Sequence, residues 1–218
     1  MFDVLLDLLF PRRSLTGEEG ALITNVERKN MTLTPLLLQT AVLRERGLRY
    51  IDVIIAAGQY DESDELKKMI LTYKYKRVPA FADELSHRML DALHDHFPQY
   101  RSEKKYIVCP VPLHWTRKNE RGFNQAEELA VRIAASQGWP LQEILFRVRR
   151  TGHQAHRSRR ERLTALIGAF ALKPDAEIPK HVILIDDLST TGATLEECAR
   201  MLKNAGVDHV IGLVAAAG

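Results

Sequence analysis

The sequence predicts an α/β protein, a parallel sheet flanked by helices, and three observations predict it. The runs "KYIVCPVPL", "HVILID" and "DHVIGLVAA" are rich in Val and Ile without polar alternation, as strands buried on both faces are. The stretches "FNQAEELAVRIAASQG" and "ATLEECARMLKNAG" repeat apolar residues at helical spacing. Over the C-terminal half these segments alternate as strand, helix, strand, which implies right-handed crossovers and a ligand site beyond the carboxyl ends of the strands. With 45% hydrophobic and 27% charged residues, a chain of 218 residues excludes a disordered polymer and can bury one core or a core plus a small module. The net charge of +3 suits phosphate-bearing ligands without requiring nucleic acid.

Taken in order, the N-terminal "MFDVLLDLLFP" carries Asp3 and Asp7, has no basic leader and is too short to span a bilayer. It reads as a helix docked on the body of a cytoplasmic protein that makes no use of a membrane. Two cysteines, Cys109 and Cys198, sit inside apolar segments, which excludes a disulfide framework and a four-thiolate metal site and favours a reducing compartment. In the first helix Ala126, Leu129, Ala130, Ile133 and Ala134 share a face, Asn124 and Glu127 form a capping pair, and Gly138 ends it. "LFRVRRTGHQAHRSRRERL" follows, with Arg147, Arg149, Arg150, Arg157, Arg159, Arg160 and Arg162. By composition it is a solvated basic helix, with His153 and His156 sharing the solvated loop, or a nucleic-acid patch, although interleaved aromatics are missing. In the last helix Leu195, Cys198, Ala199 and Leu202 share a stripe, Thr194 and Glu197 take the cap positions, and Gly206 ends it, so Cys198 is core.

Between strand and last helix stands "HVILIDDLSTTGAT". Asp186 and Asp187 fall at the strand end with their side chains expected to face solvent, and the turn after them leads into a helix N-terminus, whose amides bind anions. Gly192 lets that turn wrap closely, and Thr190, Thr191 and Thr194 add hydroxyl donors. Adjacent carboxylates cannot hold a phosphate, but they accept hydrogen bonds from vicinal hydroxyls. Acid pair and cradle together describe a ribose carrying a 5′-phosphate; ordinary turn chemistry is the alternative. Neither GxxxxGK[ST] nor GxGxxG occurs in the chain.

"VILIDDLSTTGAT" resembles the phosphoribosyl-pyrophosphate (PRPP) motif of the type I phosphoribosyltransferases, and "CPVPLHWTRKNERGFNQAEELA" resembles the PVPL…RGFNQ signature of the ComF family of competence proteins, which includes GntX-like members. "LLFP", "LTYKYKR" and "ERLTALIGAF" agree with that family. The resemblance implies a type I phosphoribosyltransferase-like sheet over 50–218, preceded by a small N-terminal module over 1–49. It implies a catalytic pair, Asp186 and Asp187, on the ribose hydroxyls, and a 5′-phosphate cradle of Ser189, Thr190, Thr191, Gly192, Ala193 and Thr194. Leu113 and His114 through their backbone, Arg117, Arg121 and Lys74 would take the pyrophosphate, with Lys118 a weaker candidate and an exposed position the alternative for Lys74. Arg157, Arg159, Arg160 and Arg162 would belong to a lid.

The activity implied is a Mg²⁺-dependent glycosyltransferase of the pentosyl class, with PRPP and an acceptor that the motifs leave unnamed. The family's tie to DNA uptake implies a second role, a non-catalytic module partnering a competence helicase or single-stranded DNA and keeping the PRPP pocket for regulation; an oligomer is compatible with either. A PRPP-sensing transcriptional regulator is disfavoured, because no helix-turn-helix pattern precedes the sheet. Two departures qualify the resemblance. Ser14 and Gly17 stand where many members carry a CxxC zinc pair, so no zinc is expected, and Ala165 replaces a common asparagine.

Overall fold

The computed structural model describes residues 14–19, 21–76, 78–103, 105–149 and 159–218, and of residues 30, 76, 79, 118, 121, 159, 160 and 162 the backbone alone. The helix expected at the N-terminus and the stretch 150–158, with His153, His156 and Arg157, lie outside the described residues. In chain order the elements are α1 (Asn25–Asn30), β1 (Leu36–Leu38), α2 (Thr40–Glu45), β2 (Val53–Gln59), α3 (Asp64–Lys76), α4 (Pro79–His96) and, after a 3₁₀ turn at Pro98–Arg101, β3 (Ile107–Pro110). There follow α5 (Trp115–Arg121), α6 (Gln125–Gln137), β4 (Leu145–Arg147), α7 (Arg159–Ala165), β5 (Phe170–Leu172), β6 (His181–Ser189), α8 (Ala193–Asn204) and β7 (His209–Ala217).

Five strands form one sheet in the order β1-β2-β7-β6-β3. The α/β class and the three expected strands are present, but the sheet is mixed: β1 runs antiparallel to β2, whereas β2, β7, β6 and β3 are mutually parallel. The antiparallel strand comes from 36–38, and β4 with β5 makes a separate antiparallel pair. The registers Gln59↔Ala217, Ser189↔Ala217 and Pro110↔Ile185 put the carboxyl ends of the four parallel strands on one edge.

Unbroken apolar strands are what a sheet covered on both faces requires. Along β6, Ile183 and Ile185 enter the core that contains α3, α4 and α6 residues, while Val182 and Leu184 enter the opposite core with α8. β7 alternates likewise, with Ile211 and Leu213 on the first side and Val210 and Val214 on the second. Each fully buried aliphatic side chain contributes roughly 1.5–3 kcal/mol of transfer free energy. Cys109 and Cys198 are both free, fully buried, and part of the second core.

Helix α6 starts where expected: Asn124 Oδ1 accepts from the Ala126 N–H at 3.2 Å, and Gly138 closes the helix in the left-handed region. For α8 the expected Thr194–Glu197 cap is corrected. The N-cap is Gly192, no side chain caps the helix, and Thr194 lies within its first turn. Glu197 faces elsewhere: it accepts from the Gly168 N–H at 2.6 Å and pairs with Arg200 at 2.6 Å.

Ser14 and Gly17 sit in a tight turn, in which Ser14 N–H donates to Glu18 O at 2.8 Å and Gly17 N–H to Ser14 O at 3.1 Å. Beside it lies Glu27 of α1, 2% exposed. Its carboxylate accepts from the Thr16 N–H (2.6 Å), the Thr16 hydroxyl (2.8 Å) and the Thr24 N–H (2.7 Å), and Thr24 Oγ1 accepts in return from the Glu27 N–H (3.1 Å). Burial opposes the charge, but these bonds outweigh it and hold the carboxyl at about 2.

Candidate functional site

Asp186 and Asp187 occupy the last turns of β6 in a crevice of about 180 Å³ at the carboxyl edge of the sheet. Sequence reasoning puts both side chains towards solvent; the structure buries Asp187 to 6% exposure. Burial, and then the charge of Asp187, push the Asp186 carboxyl up to about 7, and the Asp187 N–H on Asp186 Oδ1 (2.9 Å) offsets this only in part.

Three cations face the pair. Lys74, near the end of α3, places Nζ 3.3 Å from Asp187 Oδ1, with both side chains mostly buried. Its backbone is fixed by the segment before α6: Gln125 Nε2 donates to Lys74 O at 3.1 Å, the Tyr73 hydroxyl donates to Gln125 O at 2.9 Å, and Phe123 meets Tyr73 edge-on with ring centroids 5.7 Å apart. The "YKY" and "GFNQ" stretches thus form one joint that aims Lys74 at the acids. Arg117 of α5 and Arg147 of β4 line the same crevice. Burial, then the charge of Arg117, hold the Arg147 guanidinium below its ordinary range. Two arginines kept close in this way prepare a place for anionic oxygens.

The crevice runs on, through Asp186, Leu188 and Thr194, into a smaller hollow of about 40 Å³ formed by Ser189 to Leu195. Gly192 has φ 78°, a conformation that residues with side chains rarely adopt, and a Cβ there would stand 2.6 Å from Leu48 Cδ1, so the Leu48 side chain would have to shift to admit one. The Ala193 N–H reaches Thr191 Oγ1 at 3.4 Å, and the uncapped N-terminus of α8 opens on the hollow. Behind the loop, the Glu196 carboxylate accepts from the amides of Arg49 (2.5 Å), Tyr50 (3.0 Å) and Ile51 (3.1 Å), which bolts α8 to the strand-entry segment.

Of the residues expected at the site, Asp186, Asp187, Lys74, Leu113, Arg117 and the Ser189–Thr194 turn come together. His114 does not line the crevice; it is 7% exposed, and its Nδ1 meets Thr116 Oγ1 at 2.9 Å. The side chains of Arg121, Lys118, Arg159, Arg160 and Arg162, and the whole of Arg157, lie outside the described residues. The sequence groups Arg147 with the basic loop; in the structure it belongs to β4 and lines the acids' crevice instead. Asn124, expected as a helix cap, and Gln125, not singled out from sequence, both line it. Among the described residues no group of three or more His, Cys, Asp or Glu converges as a metal site, and no helix is long and apolar enough to cross a membrane.

A mixed α/β sheet carries an acid pair, a glycine–threonine turn and facing cations at its carboxyl edge, the place where open α/β sheets put their ligand crevices. Competence protein F of Haemophilus influenzae is 30% identical to the chain over 162 residues, 73% of this chain and 70% of that protein. The chain belongs to the ComF family of competence proteins. Competence protein ComFC of Bacillus subtilis is 30% identical over 151 residues, 67% of this chain and 57% of that protein's length. No family model matches the chain. A solved structure of orotate phosphoribosyltransferase from Aeropyrum pernix covers 80% of this chain and 78% of its own, at 16% identity and a TM-score of 0.38, a likeness too low to carry an argument.

Proposed function

We propose that the chain binds PRPP together with Mg²⁺ and transfers its phosphoribosyl group to an acceptor. The observation that carries the reading is the junction of acid pair and threonine turn in one crevice lined by three cations. On this reading Asp186 and Asp187 accept hydrogen bonds from the two ribose hydroxyls, and the Ser189–Thr194 turn with the α8 N-terminus takes the 5′-phosphate. Arg117, Arg147 and Lys74 face the diphosphate. The C1–O bond to pyrophosphate breaks with its electron pair leaving on the oxygen, a bond from C1 to an acceptor nitrogen forms, and the acceptor's proton passes to solvent. Mg²⁺ bound with the diphosphate would supply charge neutralisation for the leaving group, and Asp186 and Asp187 in an open polar crevice would suit it without a protein cage. A raised Asp186 carboxyl is part of the reading: in the free protein one acid keeps its proton near neutrality, and hydroxyl donors and metal favour its loss. The N-terminal segment is proposed to hold without zinc, with the Glu27 hub standing where thiolates are expected.

That the relatives are competence proteins supports a second reading, a PRPP-responsive module that serves DNA uptake without turnover. Calorimetric titration with Mg·PRPP, followed by pyrophosphate release against a panel of nucleobases, separates the two. Asp186→Asn with Asp187→Asn exchanges charged acceptors for neutral amides, and the double variant is expected to bind Mg·PRPP at least ~10-fold more weakly. Wild-type affinity in the folded double variant, or no binding by the parent chain at millimolar ligand, sinks the site; binding without turnover favours the second reading.

A further inference from the structure

At the amino edge of the main sheet, the end away from the crevice, three rings stand in a row that the ligand site does not use. His181 and His209 open β6 and β7 and are in register, so both imidazoles leave neighbouring strands, roughly 4.8 Å apart, on one side. It is the side on which Ile183 and Ile211 enter the first core. Tyr106, one residue before β3, extends the row: its ring lies 5.4 Å from the His181 ring and 6.1 Å from that of His209. The Tyr106 hydroxyl stands 3.2 Å from His209 Nδ1 and 2.9 Å from the Tyr100 hydroxyl. Tyr100 belongs to the 3₁₀ turn at Pro98–Arg101, and both phenols are buried, Tyr100 at 6% exposure and Tyr106 at 2%.

A chain of three such groups has a direction. Tyr106 keeps its proton, because burial and then the Tyr100 bond push the phenol up. Among the described residues the Tyr100 hydroxyl bonds to Tyr106 alone. Both phenolic protons therefore find acceptors only when they run from Tyr100 to Tyr106 to His209. Nδ1 is then an acceptor, and His209 is neutral. A proton on His209 turns Nδ1 into a donor, Tyr106 must donate to Tyr100 instead, and the Tyr100 proton is left buried without an acceptor.

The surroundings resist the charge as well. Burial holds the His209 imidazole below its ordinary range; Asp52 favours the proton, while Lys203, His181 and Lys105 oppose it. Asp52 is already committed, accepting from the Val210 N–H at 2.8 Å and pairing with Lys203 at 2.6 Å. Lys105 pairs with Glu103 at 3.0 Å, and Lys180 with Asp208 at 3.4 Å. His181 Nδ1 is buried and has no partner among the described residues, so a proton on that atom would find no acceptor.

We propose that the Tyr100–Tyr106–His209 chain is a proton-operated latch at the amino edge of the sheet. With His209 neutral it ties the turn at Pro98–Arg101 and the entry to β3 onto the first residue of β7; a proton on His209 reverses the chain and lets the turn go. An imidazole lowered on folding contributes stability that is complete above about 6.5 and is lost as pH falls through its folded value. The latch owes nothing to the transferase reading.

NMR titration of the His209 imidazole in the intact chain, joined to hydrogen exchange of the Tyr100 and Ser102 amides, tests it. His209 is expected to titrate below about 6.5, and Tyr106→Phe, which takes away the donor to Nδ1, is expected to move the midpoint upwards. His209→Asn keeps an oxygen acceptor on the atom that carries Nδ1 and cannot titrate. Protection of the two turn amides is expected to fall about tenfold or more in the parent between about pH 7.5 and about pH 5, and to stay level in His209→Asn. A parent midpoint at or above the ordinary value, or turn protection that falls alike in parent and His209→Asn, overturns the latch. Should His209→Asn fail to fold, a His209 midpoint that Tyr106→Phe leaves in place overturns it equally.

Discussion

Glu27 and Asp186 are both carboxyls drawn out of water, and the fold treats them in opposite ways. Glu27 receives two backbone N–H groups and a hydroxyl, and its carboxyl is held at about 2. Asp186 receives one N–H, from the residue that also supplies the competing negative charge, and is pushed up to about 7. Burial resists ionisation in both; the number of donors decides the outcome. A carboxylate whose lone pairs are filled by its own chain holds a turn together, whereas one left short of donors is prepared to accept them from something else.

The largest way to break this contrast is to remove the filled centre. Glu27→Ala strands two backbone N–H groups and a hydroxyl beside a buried site and is expected to cost about 3 kcal/mol or more of stability, read from urea unfolding. Stability unchanged by that substitution would mean that the 14–31 region contributes nothing to the cooperative unit.

The pH profile comes next, because the two groups slope in opposite directions. A carboxyl lowered from 4.5 to about 2 contributes stability that is complete above 4.5 and is lost as pH falls towards 2. A carboxyl raised from 3.8 to about 7 means that the folded chain holds a proton the unfolded one has released, so stability falls as pH rises from about 4 to 7. Asp186→Asn is expected to flatten that falling limb, changing the unfolding equilibrium at pH 8 relative to pH 4 by roughly tenfold or more. A variant that keeps the parent profile across this window refutes the unfilled state of Asp186.

A smaller effect is expected at Glu196, another filled carboxylate. Glu196→Gln keeps an acceptor but loses the charge shared by the amides of Arg49, Tyr50 and Ile51, and should cost about 1.5 kcal/mol. Tyr73→Phe, which removes the hydroxyl on Gln125 O, should cost about 1 kcal/mol in chemical unfolding and weaken Mg·PRPP binding through Lys74.

These residues also mark what a sequence discloses. β3, β6, β7, α6 and α8 are readable because burial on both faces, or on one helical stripe, writes itself as a local period. The signal for β2 was present in "VIIAAG" but lies upstream of the alternation that identified its neighbours, and the three residues of β1 carry no period at all. The sequence misplaces the α8 cap because a Thr three residues before a Glu satisfies the pattern of a capping box, while the helix is capped two residues earlier at Gly192. Asp186, Asp187 and the threonine turn are contiguous and stand out; Arg147 comes to them only through the pairing of β4 with β5, a non-local event with no local mark. At Glu27 the reciprocal cap with Thr24 has a local mark, a Thr three residues before a Glu, whereas the Thr16 donors come from 11 residues upstream and have none.

The two edges of the main sheet have a consequence of a different kind. On one side the ladder ends in β1, only three residues long. On the other, β3 is sheathed by a passing strand of coil: the Val108 N–H donates to Pro140 O and the Gln142 N–H to Val108 O, each at 2.9 Å. A long, bare edge is a template on which other chains polymerise, and short or covered edges remove it. In a mixed sheet this apolar, the short β1 and the covered β3 leave little bare ladder on which a neighbouring chain could add.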